Sequence, residues 1–418
     1  MQNKVLLEKL FAAAVSAADP VIEMAKNLPQ PPASGRTVVI GAGKASAQMA
    51  AALERIWPGA LSGVVVTRYG FGCPTQSIEV LEASHPVPDV AGLRAAQRLA
   101  AAISDLSEDD LVIALVSGGG SALLPAPPIG LTLEDEIELN KILLSSGAPI
   151  SAMNVVRKHL STIKGGRLAA LTKARVVTFL VSDIPGDNPA YIASGPTVPD
   201  ASTRQDALNV VARYRLDLPG AMIDHLRSPL AEAPKPQAPE FARNEHFVIA
   251  SSGKSLEAAA EVARTHGYDP YILSDSIEGE ARDVALVHAA IAREIATKGR
   301  PFSKPAVLLS GGETTVSLRG QGGRGGRNGE FALALGLAIE GYDISALAAD
   351  TDGTDGSESN AGAFVDGTTA QRLRDVDLDG RSLLDRNDSF PAFLALDDIF
   401  HTGPTGTNVN DFRAILII

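Results

Sequence analysis

The chain has 418 residues, with 37 Lys+Arg against 49 Asp+Glu and a formal net charge of −12. That acidic balance argues against nucleic acid or an anionic membrane as partner, since both need a basic face, and the single Cys73 excludes a disulfide framework or a cysteine-based zinc site. Hydrophobic residues at 45% and charged residues at 21% exclude wholesale disorder, and the length predicts two or three domains.

The opening segment, MQNKVLLEKLFAAAVSAADP, superficially combines an apolar stretch with small residues. Glu8 and Lys9 interrupt it, and Leu6, Leu10, Ala13 and Ala17 follow helical spacing. It reads as an amphipathic helix ending near Pro20, not as a signal peptide. No run of about 18 apolar residues follows, so no membrane span is expected and the expected location is cytoplasmic.

Short β-branched runs then alternate with glycine turns and Ala/Leu-rich stretches. The runs are Thr37–Ile40, Gly63–Thr67, Leu111–Val116, Arg175–Val181, Phe247–Ala250, Ala306–Leu309 and Ile344–Ala348. Apolar runs without alternation suit strands buried on both faces, which predicts an α/β fold with parallel sheets between helices. Ser228–Glu240 (SPLAEAPKPQAPE) holds four prolines and no apolar period, so it reads as a surface linker between domains at 1–235 and 241–418. The stretch 38–53 (VVIGAGKASAQMAAAL) echoes 247–262 (FVIASSGKSLEAAAEV), and 116–124 echoes 309–316; shared turn chemistry is preferred to an old duplication.

Seven segments could carry chemistry. Ile40–Ser46 (IGAGKAS) is a strand-to-helix glycine turn whose amides, at Gly41 and Gly43, suit phosphate or carboxylate. Lys44 is a cation at a helix start, unfavourable without an anion to meet. A Walker A loop is excluded, because its first glycine would fall on Val38 and Ala45 follows Lys44. The turn nearly matches a dinucleotide fingerprint, with Ser46 for the third glycine and Arg68 suited to a 2′-phosphate; a plain tight turn is the alternative. Ser117, Gly118, Gly119, Gly120 and Ser121 form a second candidate anion loop, or a plain turn.

Asn154–Arg167 gathers Arg157, Lys158, Lys164 and Arg167, which suits anion binding or a solvated helix face, and His159 suits the core as readily as a ligand. Asp183 closes a strand and Asp187 follows Pro185 in a loop; beyond strand ends, such carboxylates suit a general base, a metal ligand or a simple Asx-turn. Leu309–Thr315 brings Gly311, Gly312 and Glu313, and Arg319–Glu330 (RGQGGRGGRNGE) adds Arg319, Arg324 and Arg327. The apolar helical stretch Phe331–Ile339 continues at once, so this is a capped connection with arginines suited to polyphosphate. Asp350, Asp352 and Asp355 follow the next strand. An EF-hand would want glutamate where Ala361 stands, so magnesium held by one or two carboxylates plus phosphate oxygens fits better. Gly403–Asp411 is unreadable by itself. Together, glycine loops, arginines and carboxylates at strand ends describe phosphoryl transfer, with no competing Ser/His/Asp triad or zinc set.

The ordered set IGAGKAS, ASHPVPD, SGGGSALL, MNVVRKHLSTIKGGRLA, SDIPGDNPAYIASGPTVPD, SGGETTV, GGRNGEFALA, DTDGTDG and PTGTNVNDF resembles the type II glycerate 2-kinases, which have a C-terminal MOFRL domain. The resemblance spans about residue 5 to 412; Ser84, where glycine is expected before His85, departs from it and bears on local loop geometry. It implies a Rossmann-like parallel-sheet N-terminal domain, a smaller α/β C-terminal domain and an active site in the cleft between. It also implies ATP-dependent phosphorylation of D-glycerate at the 2-hydroxyl, giving 2-phosphoglycerate, with a divalent metal, Mg²⁺.

Under this resemblance Lys44 and Arg327 act on charge at the transferred phosphoryl group, and Asp183 is the candidate base. Asp187, Glu313, Asp350, Asp352 and Asp355 are metal candidates; Gly41, Gly43, Ser117, Gly118, Gly119, Gly120, Ser121, Gly311, Gly312 and Asn328 are nucleotide candidates. His85, Arg157 and Lys158 are candidates for the glycerate carboxylate. Replacing Lys44 or Arg327 by alanine is expected to lower turnover without unfolding the protein. The alternative is an NAD(P)H-dependent hydroxypyruvate reductase, a label members often carry, using Gly41, Gly43 and Arg68. It gives the C-terminal carboxylates no role. A homodimer is compatible with the sequence, which does not fix the oligomeric state.

Overall fold

The β-branched runs fold as strands, and helices cover them. The computed structural model describes residues 2–418 other than 319–321 and 357. The chain divides into two units, Pro20–Ile249, and Met1–Asp19 with Ala250–Ile418.

In the unit Pro20–Ile249, six strands form one sheet: β1 (Thr37–Ala42), β2 (Ser62–Arg68), β3 (Ile78–Ala83), β4 (Leu111–Ser117), β5 (Arg175–Val181) and β6 (Glu245–Ala250). Their order is β3-β2-β1-β4-β5-β6. The pairs β1–β2, β1–β4, β2–β3 and β4–β5 are parallel. β1 and β4 are buried along their whole lengths, as continuous apolar runs require. The helix Val90–Ile103 packs Ala95, Leu99 and Ile103 on Val38, Val64, Val112 and Ala114. A separate apolar cluster joins Leu139, Leu143, Val156, Met222 and Leu226 from three other helices. The strand order reverses between β1 and β4, so the turns after these two strands lie side by side at a topological switch point.

The second unit builds on β7 (Asp269–Glu280), β8 (Ala306–Thr315), β9 (Ile344–Asp350), β10 (Gly362–Asp366), β11 (Ile399–Phe400) and β12 (Asp411–Ile417), in the order β11-β10-β9-β12-β8-β7. Here the expectation of a parallel sheet fails. β7–β8 is parallel, but β8–β12, β9–β12, β9–β10 and β10–β11 are antiparallel. A continuous apolar run reports burial on both faces, not strand direction, and both faces of this sheet are covered. Ala285, Phe331 and Leu335 lie over one face; Leu7, Leu10, Leu256 and Ala259 lie over the other.

Two boundaries differ from the sequence expectation. The N-terminal helix Gln2–Ser16 packs with the unit Ala250–Ile418, burying Leu6, Leu7, Leu10, Phe11 and Ala14 and leaving Ala13 and Ala17 only half-buried. Strand β6, placed by the sequence beyond the linker, belongs to the first sheet. The segment 228–240 is no free linker: Ala231 and Ala233 are buried, and Arg167 Nη2 donates to the Ala231 carbonyl at 2.7 Å.

One core group links stability to pH. His288 is buried in the helix Ala281–Lys298, with Nδ1 at 2.8 Å from the Val284 carbonyl and Nε2 at 2.9 Å from Ser310 Oγ. Nδ1 must donate to the carbonyl, so Nε2 accepts from the serine and the ring is neutral. Burial first, and Arg413 second, hold its pKa at about 4 against an ordinary 6.5. The unfolded chain therefore takes up this proton first as pH falls. The stabilisation is present above about pH 6.5 and lost as pH drops through about 4, on the order of 3 kcal/mol. Thermal melts between pH 7 and pH 4 should show the midpoint falling, and less steeply in His288→Gln; parallel curves for the two proteins would contradict this.

Candidate active site

At the switch point of the first sheet, the turns after β1 and β4 are zipped together. Gly43 N donates to the Val66 carbonyl at 3.1 Å, Lys44 N to the Gly118 carbonyl at 2.8 Å, and Ala45 N to Ser117 Oγ at 3.0 Å. Ser46 Oγ donates to the Leu115 carbonyl at 2.9 Å. Three successive amides of this turn, that of Gly43 expected to face an anion among them, are thus bonded within the protein, and the turn offers the Lys44 side chain instead.

That side chain has specific company. A Cβ built on Gly119 would lie 3.0 Å from His85 Nε2 and 3.2 Å from Lys44 Cγ, so histidine and lysine both border the Gly118–Gly120 loop. Burial first, then the charges of Lys44 and Arg68, hold the His85 pKa at about 4. His85 is therefore neutral at pH 7 and meets a ligand as a hydrogen-bonding group, not a cation. Asp183, just past β5, presses its carboxylate onto Gly118, where a Cβ would come within 1.8 Å of Oδ2; any side chain there would displace it. Asp187 ends the turn Pro185–Asp187 with a left-handed φ of 50°.

The basic cluster of Asn154–Arg167 separates by role. Lys158 is fully buried, ion-paired with Asp200 and 4.5 Å from the Tyr191 ring centroid, so it is not available for a substrate carboxylate. Lys164 is buried against Glu136 at 2.5 Å, and Arg167 is bonded to backbone carbonyls. His159 is a core residue, its Nδ1 on the Val155 carbonyl at 2.8 Å. Arg157 alone of the four cations bonds to neutral side chains: Nε to Asn140 Oδ1 at 2.9 Å and Nη1 to Asn154 Oδ1 at 3.1 Å.

In the other unit, Arg327 opens the helix Arg327–Ala338 and contacts three carboxylates. Nε donates to Asp411 Oδ1 at 2.6 Å, Nη2 to Asp350 Oδ2 at 2.6 Å, and Nη1 to Glu313 Oε1 at 3.1 Å. Burial works against the arginine's charge, but Asp411, Asp350 and Glu313 hold its pKa above the ordinary range. Asp411 also accepts from Arg413 Nη2 at 2.5 Å, Asn328 Nδ2 at 2.9 Å, and the amide and hydroxyl of Thr314, each at 3.1 Å. Although fully buried, it stays below the ordinary carboxylate range because Arg413 and Arg327 outweigh the burial. Asp350 moves the other way: burial, with Asp352 and Asp411 nearby, raises its pKa despite Arg327.

Asp355 is better explained as a helix cap than as a metal ligand. It accepts from Asn328 N at 2.9 Å and Gly329 N at 2.7 Å, two of the otherwise unpaired amides of that helix. A Cβ on Gly326 would lie 2.4 Å from this carboxylate, so glycine is required for the approach. Burial raises the Asp355 pKa to about 6, against the lowering effect of those two amides. Gly311 and Gly312, expected in a turn, lie within β8, in register with Phe412 and Asp411. Asn328 is buried between Asp355 and Asp411. Arg324 pairs with Glu358 at 2.7 Å, and Arg319 lies outside the described residues. Among the described residues no group of three or more His, Cys, Asp or Glu could by itself hold a metal ion. Asp352 accepts from Thr354 N at 2.8 Å and Asn408 Nδ2 at 3.3 Å, and Glu313 is half-exposed.

Asp411 and Arg413 are what sequence reasoning missed. Asp411 closes a polar turn, and only the insertion of β12 between β8 and β9 places it opposite both Gly312 and Asp350.

Two family models match the chain: a domain of unknown function (DUF4147) over residues 6–227, and the MOFRL family over residues 306–411. A relative from Agrobacterium vitis named "Putative hydroxypyruvate reductase" is 52% identical over 417 residues, covering 99% of this chain and 94% of that protein. The "Glycerate 2-kinase" of Pyrococcus horikoshii is 41% identical over 386 residues, 92% of this chain and 88% of that protein. The crystal structure of a glycerate kinase from Thermotoga maritima matches with a TM-score of 0.89 at 38% identity, covering 100% of both chains.

The surroundings of Arg327 revise one mutational expectation. Arg327→Ala would leave Asp350 unpaired and deprive Asp411 of one of its two cations, both buried. It should therefore lower stability by roughly 3–5 kcal/mol in urea unfolding, whereas Arg327→Lys, which keeps the charge, should lose less than half of that. Wild-type stability in Arg327→Ala would show that these contacts do not hold the fold.

Proposed function

The chain belongs to the MOFRL-containing glycerate 2-kinase family, and we propose that it transfers the γ-phosphoryl group of ATP to the 2-hydroxyl of D-glycerate, giving 2-phosphoglycerate, with Mg²⁺. The observation that carries this is the setting of Arg327. A fixed guanidinium at a helix N-terminus suits a phosphoryl group, yet Asp350, Asp352 and Glu313 around it would repel a bare polyphosphate. Anion and divalent cation must arrive together.

The donor set fits such a cation. Asp350 accepts from Asp352 N at 3.0 Å, the Asp352 charge helps raise the Asp350 pKa, and half-exposed Glu313 shares Arg327 with Asp350. These hard oxygen donors would hold Mg²⁺ together with phosphate oxygens, and Asp355, committed to its helix, would not. When bound, the cation supplies neutralisation of charge on the phosphoryl oxygens.

On this reading Arg327, held by Asp411, would offer its remaining N–H groups to phosphoryl oxygens, and Lys44 would offer an ammonium to the group in transfer. Asp183 accepts the 2-hydroxyl proton as that oxygen forms its bond to the γ-phosphorus and the bond from γ-phosphorus to the bridging oxygen breaks, releasing ADP. Neutral His85 adds a hydrogen bond without a second cation beside Lys44.

The reductase name of the Agrobacterium vitis relative favours a second reading, hydroxypyruvate reduction by NAD(P)H. Its amide cradle is the weak point, since the amides of Gly43, Lys44 and Ala45 are bonded internally. Phosphorus NMR of a reaction of protein, ATP, Mg²⁺ and D-glycerate should show 2-phosphoglycerate. A 3-phosphoglycerate signal, or intact ATP beside hydroxypyruvate-dependent NADPH oxidation, would overturn the proposal. Lys44→Ala should lower kcat at least about a hundredfold with an unchanged melting temperature. Near-native turnover in that variant would remove Lys44 from the chemistry.

A further inference from the structure

A chain of hydrogen bonds runs from Arg157 to the glycine loop after β4, and its direction is fixed. Arg157 can only donate, so the Asn154 atom 3.1 Å from its Nη1 is the carbonyl Oδ1. Asn154 Nδ2 then faces the Tyr191 carbonyl at 3.4 Å, which agrees with that orientation. Ser194 Oγ lies 3.2 Å from the same Oδ1, and a hydroxyl facing a carbonyl oxygen donates. Its single proton is thereby committed. Ser121 Oγ, 2.9 Å from Ser194 Oγ, must therefore be the donor of that bond.

The outcome is a serine that has lost its freedom to donate. Toward a ligand, Ser121 presents lone pairs only. Asn154 and Ser194 are buried and Ser121 is half-buried, so the constraint is internal while its end can be reached. The loop holding Ser194 is forced: Ala193 and Ser194 adopt left-handed φ angles of 52° and 61°. A Cβ on Gly120 would lie 2.7 Å from Ala193 Cβ, so the two loops are packed tightly. Gly119, two residues before Ser121, borders Lys44 and His85.

An oxygen that can only accept is ill suited to phosphate, whose oxygens also only accept; it suits a hydroxyl. We propose that Ser121 recognises the hydroxyl of the acid substrate that does not react, and that Arg157, through Asn154 and Ser194, is the positioning residue that sets this polarity. The reacting hydroxyl must lose its proton. A chain ending on an arginine offers that proton nowhere to go, so Ser121 suits the hydroxyl that keeps its own. The site is thereby specific for dihydroxy acids over monohydroxy acids. This rests on the kinase function proposed above and moves Ser121 from the nucleotide to the acid, and Arg157 away from direct carboxylate contact.

The test compares D-glycerate with D-lactate, which lacks the 3-hydroxyl, by kcat/KM, or by the inhibition constant of D-lactate where it is not turned over. Ser121→Ala should lower the preference for D-glycerate roughly tenfold by raising its KM, with the KM for ATP unchanged. Ser121→Thr, which keeps the hydroxyl, should retain the preference. An unchanged preference in Ser121→Ala, or a rise confined to the KM for ATP, overturns the assignment and leaves the kinase function standing. A wild-type protein that does not phosphorylate D-glycerate overturns both.

Discussion

Arg327 can hold a partly buried positive charge in one place because Asp411 meets it at 2.6 Å while itself receiving Arg413, Asn328 and Thr314. That carboxylate is positioned by topology. It is the first residue of β12, whose insertion between β8 and β9 sets it opposite Asp350 on one side and Gly312 on the other. The helix carrying Arg327 is fixed independently by Asp355 on its first amides. In this neighbourhood Asp350, Asp352, Glu313 and Asp411 outnumber Arg327 and Arg413, so the local field is negative. The whole-chain charge of −12 is thus not relieved where a phosphoryl group would bind. A polyanion needs a cation to accompany it there.

The first sheet solves a different problem. Its switch point brings the turns after β1 and β4 together, and those turns use their amides on each other. What remains for chemistry is side chains: Lys44, a neutral His85, Asp183 and Ser121. Their environments are set one atom at a time. Gly118 leaves room for the Asp183 carboxylate, and Ser194 is hydrogen-bonded to Ser121.

Much of this was legible in the sequence. The seven β-branched runs are all strands, and the resemblance to glycerate 2-kinases agrees with the family matches. The failures share a cause, which is that pairing between distant segments leaves no local trace. Continuous apolar runs predicted parallel strands, but helices on both faces bury antiparallel strands equally well, as β9 and β12 show. Gly311 and Gly312 looked like a loop because glycine in a tightly packed strand has the same letter as glycine in a turn. Lys158 and Arg157 are adjacent in sequence with the same charge, yet one is buried on Asp200 and the other faces two asparagines. Asp411 lies in the motif PTGTNVNDF, but nothing local in it marks this carboxylate as a partner of Arg327.

The central claim is that the Arg327 constellation accepts polyphosphate only in company with a divalent cation. Calorimetric titration of the protein with ATP, once in Mg²⁺ and once in EDTA, tests it most directly. A dissociation constant weakened at least about tenfold in EDTA is the predicted result. Equal affinity under both conditions would contradict it.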